Sequence, residues 1–228
     1  MKKMRSIGHR GAKGYVTENT LESFQKAIDL GVDCIELDVH KCKSGELIVF
    51  HDFTLERLTN GKGEVAKHTL DELKKLKITD RFQIPTLIET LNFIGRRCSI
   101  NIELKGHDTA QSAFNTIEKY VQEKNWNYNN FIVSSFQYEE LANFSQLNTK
   151  IPLAILTQAS VEQAIDWAKE FKATYIHPHF SLLTVDNCNF AKENGLKINT
   201  WTVNDKIDIE HVKRFVIEGI ISDFPDRI

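Results

Sequence analysis

Glu36 and Asp38 stand two residues apart in the run Asp33-Cys34-Ile35-Glu36-Leu37-Asp38-Val39-His40, and His51-Asp52 follows beyond Ser44-Gly45. Side chains on a strand alternate faces, so the two carboxylates point the same way. If Ser44-Gly45 forms a two-residue hairpin loop, Lys43 faces Glu46, and the same register sets His51 opposite Asp38, roughly 5 Å away. Glu103 and Lys105 are again two apart. Three carboxylates, with histidines held back from the ligand set, suit one hard divalent cation, Mg²⁺ or Ca²⁺, with waters completing its shell. A zinc site would take more of its ligands from histidine. Arg10 and Lys105 add positive charge, which fits a phosphate-like anion. His9 and His51, with ordinary pKa values near ~6.5, suit general acid and base work at neutral pH.

These residues need a scaffold that brings distant segments together. Short apolar runs at 5–9, 34–40, 99–105, 131–136, 153–156, 175–178, 197–203 and 219–222 alternate with helical patterns, and 47–51 is a return strand after the second. Eight strands alternating with helices predict an α/β fold of the TIM (β/α)8 barrel type, with an open doubly wound sheet as the competitor. Asn19-Thr20-Leu21-Glu22 has the form of a capping box for a helix stopped by Gly31. Ser160 starts another helix, with Val161, Ala164, Ile165 and Ala168 on its inner face. Asp205 begins a third, carrying Ile209, Val212 and Val216. Residues 53–85, with a short helix at 69–76, are too long for an ordinary connection and read as a small insertion in one domain spanning 1–228. His9, Arg10, Glu36, Asp38, Glu103, Lys105 and Trp201 all fall near the C-terminal ends of predicted strands, the rim where barrel active sites are assembled.

Each residue taken alone has a plainer reading. Arg10 and Lys105 could merely neutralise buried carboxylates, His9 could be a core histidine, and Trp201 could be core packing. His40, His107, His177 and His179 lack comparable partners and read as structural or peripheral, although His177-Pro178-His179 ends a strand and could touch a ligand. Convergence on one rim favours chemistry over these readings.

The 228 residues, 41% hydrophobic and 26% charged with a net charge of -2, can fill a sizeable core and carry no electrostatic signature of nucleic-acid binding. No run approaches the ~20 apolar residues of a membrane span, so no stable membrane insertion is expected. The N-terminal residues lack a signal-peptide core. Cys34, Cys42, Cys98 and Cys188 show no paired spacing and read as free thiols in a reducing compartment, hence a cytoplasmic protein. No feature speaks to oligomeric state.

In order along the chain, His9-Arg10-Gly11, Glu18-Asn19-Thr20, Glu36-Leu37-Asp38, His51-Asp52, Leu58-Thr59-Asn60-Gly61-Lys62-Gly63, Ile84-Pro85-Thr86-Leu87, Ile102-Glu103-Leu104-Lys105, Trp201-Thr202-Val203-Asn204 and Ser222-Asp223-Phe224-Pro225 resemble the motifs of the glycerophosphodiester phosphodiesterases. The resemblance covers almost the whole chain. It implies a TIM barrel with a short insertion, and divalent-metal-dependent hydrolysis of glycerophosphodiesters to an alcohol and sn-glycerol 3-phosphate. It further implies Glu36, Asp38 and Glu103 as metal ligands, His9 and His51 as the acid/base pair, and Arg10 and Lys105 as phosphate contacts. Trp201 would wall the glycerol, and Glu18 would support the metal shell. The nucleophile would be water or the neighbouring glycerol hydroxyl. Thr17 stands where the family often has proline, a change that removes no catalytic group. The leader and longer insertion of periplasmic relatives are not found, in line with the cytoplasmic expectation. A lysophospholipase D-like activity would use most of the same motifs and is the alternative substrate class.

Overall fold

A computed structural model describes residues 4–147 and 150–228. The first two strands, β1 (Arg5–Gly8) and β2 (Cys34–Lys41), flank helix α1 (Leu21–Asp29) and pair in parallel. A short strand, β3 (Leu47–Val49), folds back antiparallel onto the end of β2. Six more strands follow: β4 (Ser99–Leu104), β5 (Phe131–Ser135), β6 (Leu153–Thr157), β7 (Tyr175–Pro178), β8 (Lys197–Thr200) and β9 (Gly219–Ser222). Each pairs in parallel with its predecessor, with β4 pairing to β2, and β9 returns to β1. The β1–β2 and β1–β9 ladders therefore close an eight-stranded parallel barrel. Closure excludes the open-sheet alternative and meets the TIM-barrel expectation.

Alternation along the strands divides two environments. Ile35, Leu37 and Val39 of β2 join Phe24 of α1, and Leu91 and Ile117 of the later helices α3 (Leu87–Ile94) and α4 (Ala110–Glu123), in the apolar layer outside the barrel. Burying each such side chain stabilises the fold by roughly 1.5–3 kcal/mol. Cys34 shares the inward face of β2 with Glu36 and Asp38, and packs inside the barrel against Ile7 and Ile221. The outward face thus builds the fold, and the inward face is free to carry chemistry.

The helices follow their caps, with two departures. Ser160 accepts from the Gln163 N–H at the head of α6 (Val161–Glu170), whose Val161, Ala164, Ile165 and Ala168 are buried as expected. At α1 the cap is Thr20, whose hydroxyl accepts from the Ser23 N–H. Asn19 instead takes a positive φ of 55°, and so drops out of the expected capping box. The last helix, α8 (Lys206–Val212), stops before Val216, which is left 45% exposed rather than packed.

The hairpin also departs from expectation. Val39 pairs with Val49 and Lys41 with Leu47, one residue out of the predicted register. The turn holds three residues, because the Gly45 N–H donates to the Cys42 carbonyl at 2.9 Å and Gly45 takes φ +104°. A type I turn closed by a left-handed glycine adds that residue. Asp38 consequently faces Phe50, whose N–H donates to the Asp38 carbonyl at 3.1 Å, and not His51.

Beyond the hairpin, the chain builds a small second apolar layer of Ile48, Phe50, Leu55, Val65, Leu73 and Ile78. It includes helix α2 (Leu70–Lys75), capped reciprocally by Thr69 and Glu72 as the expected short helix requires. An isolated bridge between Ile48 and Thr86 returns the chain to the barrel.

His177 lies fully buried on β7, its Nε2 accepting from Asn199 Nδ2 at 3.0 Å. Burial, and next the charge of Arg5, push its pKa from 6.5 down to about 3. The unfolded chain therefore binds this proton more tightly, and stability falls as pH drops from 6.5 toward 3. The loss should be about 1.4 kcal/mol per pH unit across that window and nothing above it. His177→Gln should accordingly lose less Tm than the parent between pH 7 and about pH 4.5. Equal acid sensitivity in the two proteins would assign the titration to other groups.

Candidate active site

Three inward-facing carboxylates meet at the C-terminal rim. Asp38 pairs directly with Glu103 across β2 and β4, and Glu36 lies two residues back on β2. One oxygen from each of Glu36, Asp38 and Glu103 lies within 4.8 Å of the others, and all three residues are buried. Burial, and then the neighbouring charges of Asp38 and Glu103, hold the Glu36 carboxyl well above the usual range. The Glu103 carboxyl is pushed up to about 7 by burial and by Asp38. Asp38 is held below its ordinary value despite burial, because Arg10 and Lys105 favour its charged form. Its Oδ1 is buried without a hydrogen bond. Three crowded buried carboxylates with an orphan oxygen could hold a hard divalent cation, and their mutual repulsion is what such an ion would relieve.

Arg10 and Lys105 flank this cluster. The Arg10 N–H donates to Glu36 Oε2 at 2.9 Å, and its guanidinium donates to Glu18 Oε1 at 2.6 Å. Its Nε lies 3.3 Å from Asp38 Oδ2. Lys105, immediately after β4, donates to Glu103 Oε1 at 2.7 Å and lies 3.7 Å from Asp38 Oδ1. The ion pairs of the plainer reading thus exist, yet both cations also line the cavity described next. Glu18 is held low, despite burial, by Arg57 and Arg10.

A cavity of about 590 Å³ opens over the cluster, lined by His9, Arg10, Glu36, His51, Glu103 and Lys105, with Trp201 and Phe136 on an apolar side. Its size is that of a small-molecule site. His9 Nδ1 pairs with Asp223 Oδ1 at 2.6 Å, and His51 Nδ1 pairs with Asp52 Oδ1 at 2.7 Å. Each carboxylate fixes the tautomer and leaves the ring's Nε2 for chemistry. Burial lowers the pKa of both rings from the ordinary histidine value, against the pull of nearby carboxylates. The Trp201 indole donates to the His177 carbonyl at 2.6 Å and meets Phe136 edge-on at 5.4 Å.

The structure therefore brings together His9, Arg10, Glu36, His51, Glu103, Lys105 and Trp201 around one cavity, with Asp38 and Glu18 directly behind. Sequence reasoning missed several partners. Asp223, held by the Asn204 amide at 2.9 Å, and Asp52 orient the histidines. Asp52 is adjacent to His51 and carried a signal in that adjacency alone. Asn19 donates to Asp38 Oδ2 at 2.9 Å. Arg57 donates from Nη2 to Glu18 at 2.8 Å and to Asp52, so it ties the carboxylate behind Arg10 to the one behind His51. The Arg57 hydrogen bond, against the opposing effect of burial, holds the pKa of Asp52 down to about 2. Among the peripheral histidines it is His107, rather than His177 or His179, that lines the cavity.

The Glycerophosphoryl diester phosphodiesterase family profile matches residues 9–227. A glycerophosphodiester phosphodiesterase of Caldanaerobacter subterraneus is 34% identical over 232 residues, covering 97% of this chain and 95% of the relative. One from Bacillus altitudinis is 36% identical over 235 residues, with 97% and 95% covered. Among solved structures, an Oleispira antarctica phosphodiesterase in complex with the product sn-glycerol-3-phosphate superposes with a TM-score of 0.88 at 27% identity, covering 98% of this chain and 94% of that one. A barrel that closes, a rim that gathers these groups and similarity along nearly the whole length lead to one conclusion: the chain belongs to the glycerophosphoryl diester phosphodiesterase family and is a phosphodiesterase.

Proposed function

We propose that this enzyme hydrolyses soluble glycerophosphodiesters to an alcohol and sn-glycerol 3-phosphate with the help of one divalent cation, Mg²⁺ or Ca²⁺. The observation that carries the reading is a single cavity that opens over a cluster of three buried carboxylates and is lined by two cationic side chains and two carboxylate-held histidines. Glu36, Asp38 and Glu103 would hold the cation. When bound, it supplies Lewis-acid polarisation of the phosphate and lowers the pKa of a nearby hydroxyl.

Arg10 and Lys105 lie beside the carboxylates and orient the diester's anionic oxygens; in the transition state they balance the charge gathering on phosphorus. One ring, His9 or His51, acts as the neutral imidazole and takes the proton of the nucleophilic hydroxyl at Nε2. The other acts as the imidazolium and gives its Nε2 proton to the leaving alkoxide, so the two rings exchange protonation states and solvent resets them. Asp223 and Asp52 stabilise each ring's imidazolium while it holds the proton. Trp201 presents an apolar wall to the glycerol carbons, and Glu18 holds the Arg10 guanidinium from behind. We read the chain as one domain, 1–228, with 53–85 as an insertion that braces this rim. Its free thiols suit a reducing compartment, which supports a cytoplasmic location. Among the described residues, no helix is long and apolar enough to cross a membrane.

The substrate class is tested with one head group and two acyl states. The cavity, about 590 Å³ with Trp201 and Phe136 on its apolar side, suits a small diester better than a long acyl chain. Glycerophosphocholine should be turned over with a higher kcat/KM than lysophosphatidylcholine. A preference for the lysolipid would replace the substrate assignment by a lysophospholipase D-like one, leaving the barrel and the histidine pair in place.

A further inference from the structure

The strand that delivers His51 ends early. β3 stops at Val49, and the Phe50 N–H to the Asp38 carbonyl is the last rung before the chain bends. His51 therefore lies on a bend outside the ladder. Its backbone carbonyl is met by the His40 ring, with Nε2 at 3.1 Å. A carbonyl can only accept, so Nε2 carries the proton and His40 is the donor.

His40 follows Asp38 on the same face of β2 and is 2% exposed. Phe53 packs edge-on against its ring, with centroids 5.0 Å apart. Gly106 also lies against it, where a Cβ would come within 2.9 Å of His40 Nδ1. The ring is thus wedged in one orientation and aimed at one acceptor. We propose that His40 is a positioning residue for His51: it fixes the backbone of the bend, while Asp52 fixes the imidazole. This inference rests on His51 acting as an acid or base.

A bend held at one carbonyl matters because misplacing a proton-transfer group by about 1 Å can cost on the order of 10²-fold in rate. His40→Leu keeps the bulk and removes the donor; His40→Gln restores an amide N–H that can reach the same carbonyl. With glycerophosphocholine, His40→Leu should lower kcat by about 30-fold with KM within about twofold, and His40→Gln should return kcat to within about threefold of the parent. In a His51→Ala background, adding His40→Leu should cost no more than about twofold, because residues that act as one unit are not additive. Thermal melts of each variant confirm that the compared proteins are folded.

Parent-like kcat in His40→Leu, with His51→Ala impaired, would overturn the inference and leave the proposed function standing. The full His40→Leu loss persisting in the His51→Ala background would overturn it too, since the effect would then not pass through His51. Normal turnover by His51→Ala itself would overturn the functional reading first, and this inference with it.

Discussion

Replacing either His9 or His51 by alanine should lower kcat by on the order of 10²–10⁴-fold, the usual worth of a positioned proton-transfer group. The expectation comes from geometry shared by the two rings. Each lines the reaction cavity, and each is pinned through Nδ1 by a carboxylate, Asp223 at 2.6 Å and Asp52 at 2.7 Å. Burial lowers the pKa of both, which works against a fixed charge that would hold a phosphate in the ground state. That task falls to Arg10 and Lys105, whose pKa values are raised, against the opposing effect of burial, by Asp38 and by Glu103 respectively. KM should therefore change far less than kcat in the histidine variants. Steady-state kinetics on glycerophosphocholine separates the cases: near-parental kcat with a raised KM in both would make the histidines binding groups. Asp223→Asn and Asp52→Asn keep the shape but lose the charge, and each should cost less than loss of the ring it orients.

How much of this site is legible in the sequence depends on whether a group acts alone or through a partner from elsewhere in the chain. Glu36 and Asp38 could be read because a strand's alternation is local and spacing sets them on one face, and Glu103 because it too falls near the C-terminal end of a strand, the rim where a barrel gathers its site. The hairpin register could not be, because Ser44-Gly45 suits a two-residue loop with positive φ at both residues as well as a three-residue loop in which Gly45, at φ +104°, takes it and Ser44 does not. Such a slip would ordinarily send a side chain to the wrong face. His51 escapes that fate because β3 ends at Val49 and the bend, rather than the ladder, aims it into the cavity. Asn19 shows the opposite case. Its sequence context suggested a helix cap, but tertiary structure uses its amide to hold Asp38, and Thr20 takes the cap. Asp223 meets His9 only because β9 closes against β1, and Arg57 meets Glu18 only because the chain after β3 folds back over the rim. Long-range closure of this kind leaves no periodicity to read.

Removing divalent metal should abolish turnover, and restoring Mg²⁺ or Ca²⁺ should return it. Glu36, Asp38 and Glu103 are buried at 3%, 1% and 7% exposure with their oxygens within 4.8 Å of one another. Like charges so placed destabilise the fold unless protonated or paired, and Lys105 and Arg10 leave Asp38 Oδ1 without a hydrogen bond. A cation bound by all three would therefore stabilise the folded protein as well as serve the reaction, by mass action on the folded state. The melting temperature of the chelated protein should rise on adding either ion, which checks binding apart from activity. Asp38→Asn leaves a side chain of the same shape with a weaker donor, and should lose both the rise in Tm and most of kcat. Full activity in excess chelator would defeat the assignment of a cation to this cluster. A Tm rise that survived intact in Asp38→Asn would remove Asp38 from the ligand set and assign it instead to holding Arg10 and Asn19 in place. The two results separate because Arg10 reaches Asp38 through Oδ2, at 3.3 Å, whereas the oxygen left for the ion is Oδ1.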